Sequence, residues 1–231
     1  MKKVTTFILA VFVSAIAFGQ TTKTSPEKAP SKDLAAISLA HDMAQMGYDT
    51  KQPIYLVTAA QTLIDHPINS DFTKLHSSTK PIEDSKGKAT EAKSNDLTPK
   101  KLLADAKEMA KGDVNLLAMI TATEAKIPAE TAATRGALGG PASWNGTVFA
   151  DSDKTIYASF KKGQLAEITI QGDGKSDLDL YVYDEDGNMI TSDNGKYDEC
   201  YVSWTPKQTL AYKIVIKNGG TTDNDCMLVS N

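Results

Sequence analysis

Between Ser176 and Asn188 the chain reads Ser-Asp-Leu-Asp-Leu-Tyr-Val-Tyr-Asp-Glu-Asp-Gly-Asn. Apolar residues alternate with polar or aromatic ones from Leu178 to Tyr183, the period of a half-buried strand. The run stops at Asp186-Gly187-Asn188, where Gly and Asn tolerate positive φ and so favour a turn. Further runs of the same kind are Cys200 to Pro206 and Tyr212 to Ile216. About seven short runs, each bounded by Gly, Asp or Asn, predict a two-sheet antiparallel sandwich from about Thr147 to Asn231. Parity assigns its core to Phe160, Ile168, Ile170, Leu178, Leu180, Val202, Trp204, Tyr212, Ile214, Ile216 and Leu228.

The same region carries an ordered set of motifs. Thr155 to Gly163 reads as an early strand and turn glycine. Leu165 to Ile170, Gly172-Asp173-Gly174 and Asp177-Leu178-Asp179-Leu180-Tyr181 follow. Val202 to Pro206 and Tyr212 to Gly220 complete the set. In order and spacing they resemble the bacterial pre-peptidase C-terminal domain, over about residues 147–231. The resemblance implies a small jelly-roll-like β-sandwich appended to an exported protein. That family usually sits behind a secreted peptidase, but no peptidase motif precedes the sandwich here, so the resemblance brings no enzyme with it.

The N-terminus reads as a secretory signal over residues 1–20. Lys2 and Lys3 form a basic start, and Phe7 to Phe18 is an apolar core too short for a membrane span. Cleavage is expected near Gly19 or Gln20 and leaves no membrane-anchored segment. The mature chain is therefore expected to be periplasmic or secreted. Losing two lysines takes the formal charge from −4 to −6, and Arg135 is the single arginine. An acidic, guanidinium-poor chain suits neither nucleic acid nor an anionic membrane surface.

Residues 21–32 read as a flexible leader and 33–125 as helical. Ala36, Leu39, Ala40, Met43 and Met46 share one face of a first helix, with Gly47 as its C-terminal cap. Thr50 and Pro53 open a second helix bearing Leu56, Ala59, Ala60 and Leu63. Residues 69–96 are polar and predict a mobile loop. Thr98-Pro99 starts a third helix, with Leu102, Ala106, Met109 and Ala110 inward, and a fourth spans about Val114 to Ala125. The two pairs are weakly similar to each other and to tetratricopeptide-type hairpins. With only two hairpins, closure as a four-helix bundle is the expectation. Residues 126–146 read as a Gly- and Pro-rich linker.

Catalytic signatures are missing: there is no His-Glu-x-x-His and no Gly-x-Ser-x-Gly. The chain therefore reads as a non-enzymatic exported protein whose sandwich mediates interaction or supports stability. A carbohydrate-binding accessory module is the alternative, and a hydrolase with an unrecognised site ranks below both. Asp173, Asp177 and Asp179 line a turn and strand entry, and a calcium ion is the one cofactor their oxygens suit. The same aspartates also suit metal-free turns. Tyr181, Tyr183 and Tyr201 have the parity opposite to the core, so they form a candidate surface for a protein or polysaccharide partner. Cross-strand pairing or cover by the helices is the favoured reading of the three. Cys200 and Cys226 both face the core by parity. They are candidates for a disulfide in an oxidising compartment, or for two buried thiols.

Overall fold

The computed structural model describes residues 29–68, 70–71, 83–84, 97–128 and 141–231. The signal segment 1–20, most of the leader 21–32, most of the loop 69–96 and the middle of the linker 126–146 lie outside them. Four helices come first: α1 (Lys32–Thr50), α2 (Pro53–Asp65), α3 (Pro99–Met109) and α4 (Val114–Glu124). Local chemistry sets their ends. Pro53 and Pro99 occupy first turns, where no N–H is needed. Thr98 Oγ1 accepts from Lys101 N at 3.2 Å, and Asp113 Oδ1 accepts from Asn115 N and Leu116 N at 3.0 and 3.1 Å.

The first helix differs from expectation on two counts. Its buried stripe is Leu34, Ile37, Ala40, Ala44 and Gly47, whereas Leu39 and Met46 are about half exposed. Gly47 is also not the cap. The helix continues to Thr50, and Lys51 takes the left-handed position at φ 54°. Gly47 lies where α1 meets α2, and a Cβ there would sit 2.6 Å from Leu56 Cδ2 and 3.3 Å from the Leu56 backbone N. A Gly→Ala change inside a helix ordinarily gains up to about 1 kcal/mol. Gly47→Ala is expected to lose about 1–3 kcal/mol instead, because the fully buried Leu56 has no room to retreat. Urea melts followed by circular dichroism check the sign, and a gain in stability would place the α1–α2 approach elsewhere.

The helices form an open array instead of the expected closed bundle. Helix α2 lies between α1 and α3, α4 packs on α3 and α2, and α1 makes no extended contact with α3 or α4. The side that α1 leaves open is taken by the sandwich.

The strands are β1 (Ser70–Asp71), β2 (Glu83–Asp84), β3 (Ala142–Val148), β4 (Ser152–Phe160), β5 (Ala166–Gln171), β6 (Leu178–Tyr183), β7 (Met189–Asp193), β8 (Glu199–Trp204), β9 (Leu210–Asn218) and β10 (Asn224–Ser230). They form two sheets, β1-β3-β10-β5-β8 and β2-β4-β9-β6-β7, referred to below as sheets I and II. Every pairing is antiparallel except β1 with β3. From β3 onward only β6 and β7 are sequential neighbours in one sheet, and the other connections cross between the layers. The β6–β7 turn follows its sequence: Gly187 has φ 83°, and the Asp184 carboxylate accepts from the backbone N–H of Asp186 and Asn188.

The inner faces match the alternation. All the core positions named from parity are buried there except Trp204, which is partly buried and packs against that core. Its ring stands edge-on to Phe160 at 4.8 Å and to Tyr212 at 5.3 Å between centroids. The sandwich begins at Ala142 and not at Thr147, which corrects the linker boundary. Trp144, read as the linker's end, is a core residue at 2 % exposure. Two short pieces of the predicted mobile loop are described, and both extend sheets: Ser70–Asp71 pairs with Ala142 and Ser143, and Glu83–Asp84 with Thr155 and Lys154.

Candidate functional site

Sheet II keeps Tyr181 and Tyr183 on its outer face, as their parity requires. Their rings stack with centroids 6.5 Å apart and planes 26° from parallel. Register places Val215 beside Tyr181 and Lys213 beside Tyr183 on β9, with Ser192 and Met189 facing them from β7. The Tyr181 hydroxyl donates to Asp179 Oδ2 at 3.1 Å. Partial burial, then that bond, raises the Tyr181 pKa and keeps the hydroxyl a neutral donor. Both rings are half-buried. The result is a two-ring apolar shelf edged by a carboxylate, a lysine and a thioether.

Tyr201 does not join this shelf. It lies outward as expected, but on sheet I, where the helices cover it. Met227 and Val229 of β10 extend from the same outer face into the helical core. Within the seam, beside the start of α1, is Glu167, only 2 % exposed. Its Oε1 accepts from the Tyr201 hydroxyl at 2.7 Å and from Ser31 N, just before α1, at 3.1 Å. Its Oε2 accepts from Asn231 Nδ2 at 3.3 Å. Farther along α1, Gln171 Nε2 donates to Asp42 Oδ1. Burial first, and then the charge of Glu199, raises the Asp42 pKa. Burial, followed by the bond to Glu167, raises Tyr201 to about 12. The seam is therefore a continuous contact of apolar and hydrogen-bonded groups. Sequence reasoning missed Glu167 because an outward Glu on a strand looks solvated until something covers it.

The three aspartates considered for calcium have separate local roles. Asp173 accepts from Lys175 N, from Lys175 Nζ at 2.5 Å and from Asp225 N at 3.2 Å. Asp179 holds the Tyr181 hydroxyl. Asp177 has its pKa raised by burial and by the neighbouring Asp179 and Asp198. Among the described residues no group of three or more His, Cys, Asp or Glu side chains is arranged to hold a metal. The loops at this end are instead tied by amides and carboxylates. Asn224, fully buried, donates to Ser176 O at 2.8 Å and to Asp198 Oδ2 at 3.3 Å. Gly172 leaves room for this knot, since a Cβ there would meet Asp198 Oδ2 at 2.3 Å.

Of the two readings of the cysteines, the structure has the buried thiols. Cys200 and Cys226 are both buried facing the core, as parity requires, but both are free thiols. They lie on β8 and β10, with β5 between them. Two strand spacings separate such positions by about 10 Å at least, too far for a bridge. Burial first, and then nearby aspartates, pushes both thiol pKa values up, so neither is an activated nucleophile. No described helix is long and apolar enough to cross a membrane.

No family model matches the chain, and no curated protein does. Solved structures similar to it include the following three. The pre-peptidase C-terminal domain of collagenase from Bacillus anthracis is 13% identical, covering 38% of this chain and 87% of that one, at a TM-score of 0.32. PliG of Aeromonas hydrophila, a periplasmic inhibitor of g-type lysozyme, is also 13% identical, covering 39% and 84%, at 0.32. A carbohydrate-binding module of Cellvibrio mixtus lichenase 5A, solved with cellotriose, is 8% identical, covering 38% and 86%, at 0.28.

Proposed function

We propose that this chain is an exported, non-enzymatic binding protein whose ligand docks on the outer face of sheet II. The observation carrying the reading is the asymmetry of the two outer faces. Sheet I gives its face to the helices through Met227, Val229, Tyr201 and Glu167, whereas sheet II carries the stacked Tyr181 and Tyr183. The ligand class this shelf suits is a polysaccharide. Sugar rings present apolar C–H faces to aromatic rings, and their hydroxyls suit Asp179 and Lys213 at its border. A protein partner is the second reading, favoured by the exposed Met189 and Ile190 on the adjoining edge strand.

Affinity electrophoresis against a panel of soluble polysaccharides tests the proposal. At least one is expected to retard the protein, and Tyr181→Ala with Tyr183→Ala is expected to weaken that binding about tenfold or more. Two ring contacts at about 1 kcal/mol each set that scale. New reducing ends should not appear on prolonged incubation. Failure of every polysaccharide to bind, or binding indifferent to both tyrosines, overturns the polysaccharide reading, and release of reducing ends overturns the non-enzymatic one.

A further inference from the structure

The outer face of sheet II is laid out in rows by the register of β4, β9 and β6. One row runs Asp153, Lys217, Asp179, and another, on the far side of Tyr181, runs Tyr157, Lys213, Tyr183. Each of these residues alternates with the inward core positions of its strand, so the rows lie on the outside. The two lysines of β9 therefore stand in opposite surroundings. Lys217 has an aspartate on either side, whereas the half-buried Lys213 has a tyrosine on either side. Among the described residues no carboxylate pairs with Lys213. In the row beyond it Ser159 and Ala211 face each other, both exposed and both too small to cover the amine.

We propose that Lys213 receives a carboxylate of the ligand, so that the polysaccharide is one built with uronic acids; the inference rests on the reading of this face as a polysaccharide site. In a chain of formal charge −4, an amine with no acid in its own row is a single positive point left for an outside anion. An ammonium bond to a carboxylate is stronger than one to a sugar hydroxyl. The rings of Tyr157 and Tyr183 beside it exclude water from the pair, which strengthens it further. Ser159, one row farther along β4, adds a neutral donor. The acids around the site also set how the ligand's charges are spaced. Asp153 and Asp179 lie two rows away, about 14 Å along the strands, and Asp184, Glu185 and Asp186 follow Tyr183 directly. A polymer charged at every sugar would press its other carboxylates against these groups. A polymer whose uronates are separated by neutral sugars sets one carboxylate on Lys213 and offers hydroxyls to the aspartates.

Biolayer interferometry on immobilised hyaluronan, unsulfated chondroitin and heparosan, in which glucuronate alternates with a neutral sugar, tests this. Carboxyl-reduced hyaluronan, polygalacturonate and a panel of neutral polysaccharides serve as comparisons. At least one alternating polymer is expected to bind more tightly than any of these. Lys213→Met keeps the length of the side chain, removes its charge and should weaken that binding about tenfold. Lys217→Met removes the same charge from the same strand and should change it less than about twofold. Added salt should weaken the wild type toward the level of Lys213→Met. Equal binding of hyaluronan and its carboxyl-reduced form overturns the inference, as does equal loss from the two lysine variants. Tighter binding of polygalacturonate overturns the spacing of charge. Binding of a neutral polysaccharide, with none of the alternating polymers bound, overturns this inference and leaves the tyrosine shelf as a polysaccharide site. Failure of every polysaccharide overturns both.

Discussion

Trp144→Ala is expected to lower the free energy of unfolding by about 3–5 kcal/mol, the range for emptying a large aromatic site. The ring is enclosed on several sides. Leu228 lies opposite it on β10, and Lys154 Nζ is 5.7 Å from the ring centroid. Gly146 lies beneath it, and a Cβ there would stand 2.4 Å from the indole. No smaller side chain spans that volume, and the backbone of β3 is held by β10, so collapse into the cavity is limited. Domains of this size hold only about 5–15 kcal/mol in total. Urea unfolding followed by far-UV circular dichroism measures the loss directly. A loss below about 1 kcal/mol would mean that the ring lies at the surface and that the sandwich starts later than Ala142.

Glu167→Ala should be nearly as damaging, at about 3 kcal/mol. It strands a part-buried tyrosine hydroxyl and a backbone N–H before α1, and leaves the Asn231 amide with Leu165 O as its remaining acceptor. Because the loss falls on the seam, protection from hydrogen exchange should drop in α1 before it drops in β6 or β9. Equal loss in both layers would show that they melt as one unit. The same seam makes the protein sensitive to alkali. An unfolded tyrosine ionises near pH 10, whereas Tyr201 keeps its proton to about pH 12. Between those values the unfolded chain releases a proton that the native chain retains, so stability falls as pH rises. Below about pH 10 the contribution is fully present. Tyr201→Phe should flatten this part of the pH–stability curve, and an unchanged slope would assign the alkaline loss to other groups.

Strand alternation carries most of the sandwich in plain sight, because one residue of slippage would turn Leu178, Leu180 and Ile214 out to water. Trp144 escapes the pattern because Asn145 and Gly146 after it imitate a loop. The helical face is harder to read. Alanine and methionine fit several registers, and the true stripe of Leu34, Ile37 and Gly47 is fixed by what α1 covers. Parity sets both cysteines inward and all three tyrosines outward correctly. Strand order and layer are non-local properties, so parity says nothing of β5 lying between the thiols. Nor does it reveal that Tyr201 and the Tyr181–Tyr183 pair occupy opposite sheets.

Strand β10 lies in the interior of sheet I, with β3 on one side and β5 on the other. Cys226 and Leu228 point from it into the sandwich, and Met227 and Val229 into the helical layer. Neither core closes without those residues, so α1, which ends at Thr50, depends on a surface that begins only at Asn224. Such pairing of distant segments gives a high contact order and should make folding slow. Delay of the compact state is thus a property of the topology itself, which makes one strand serve two cores.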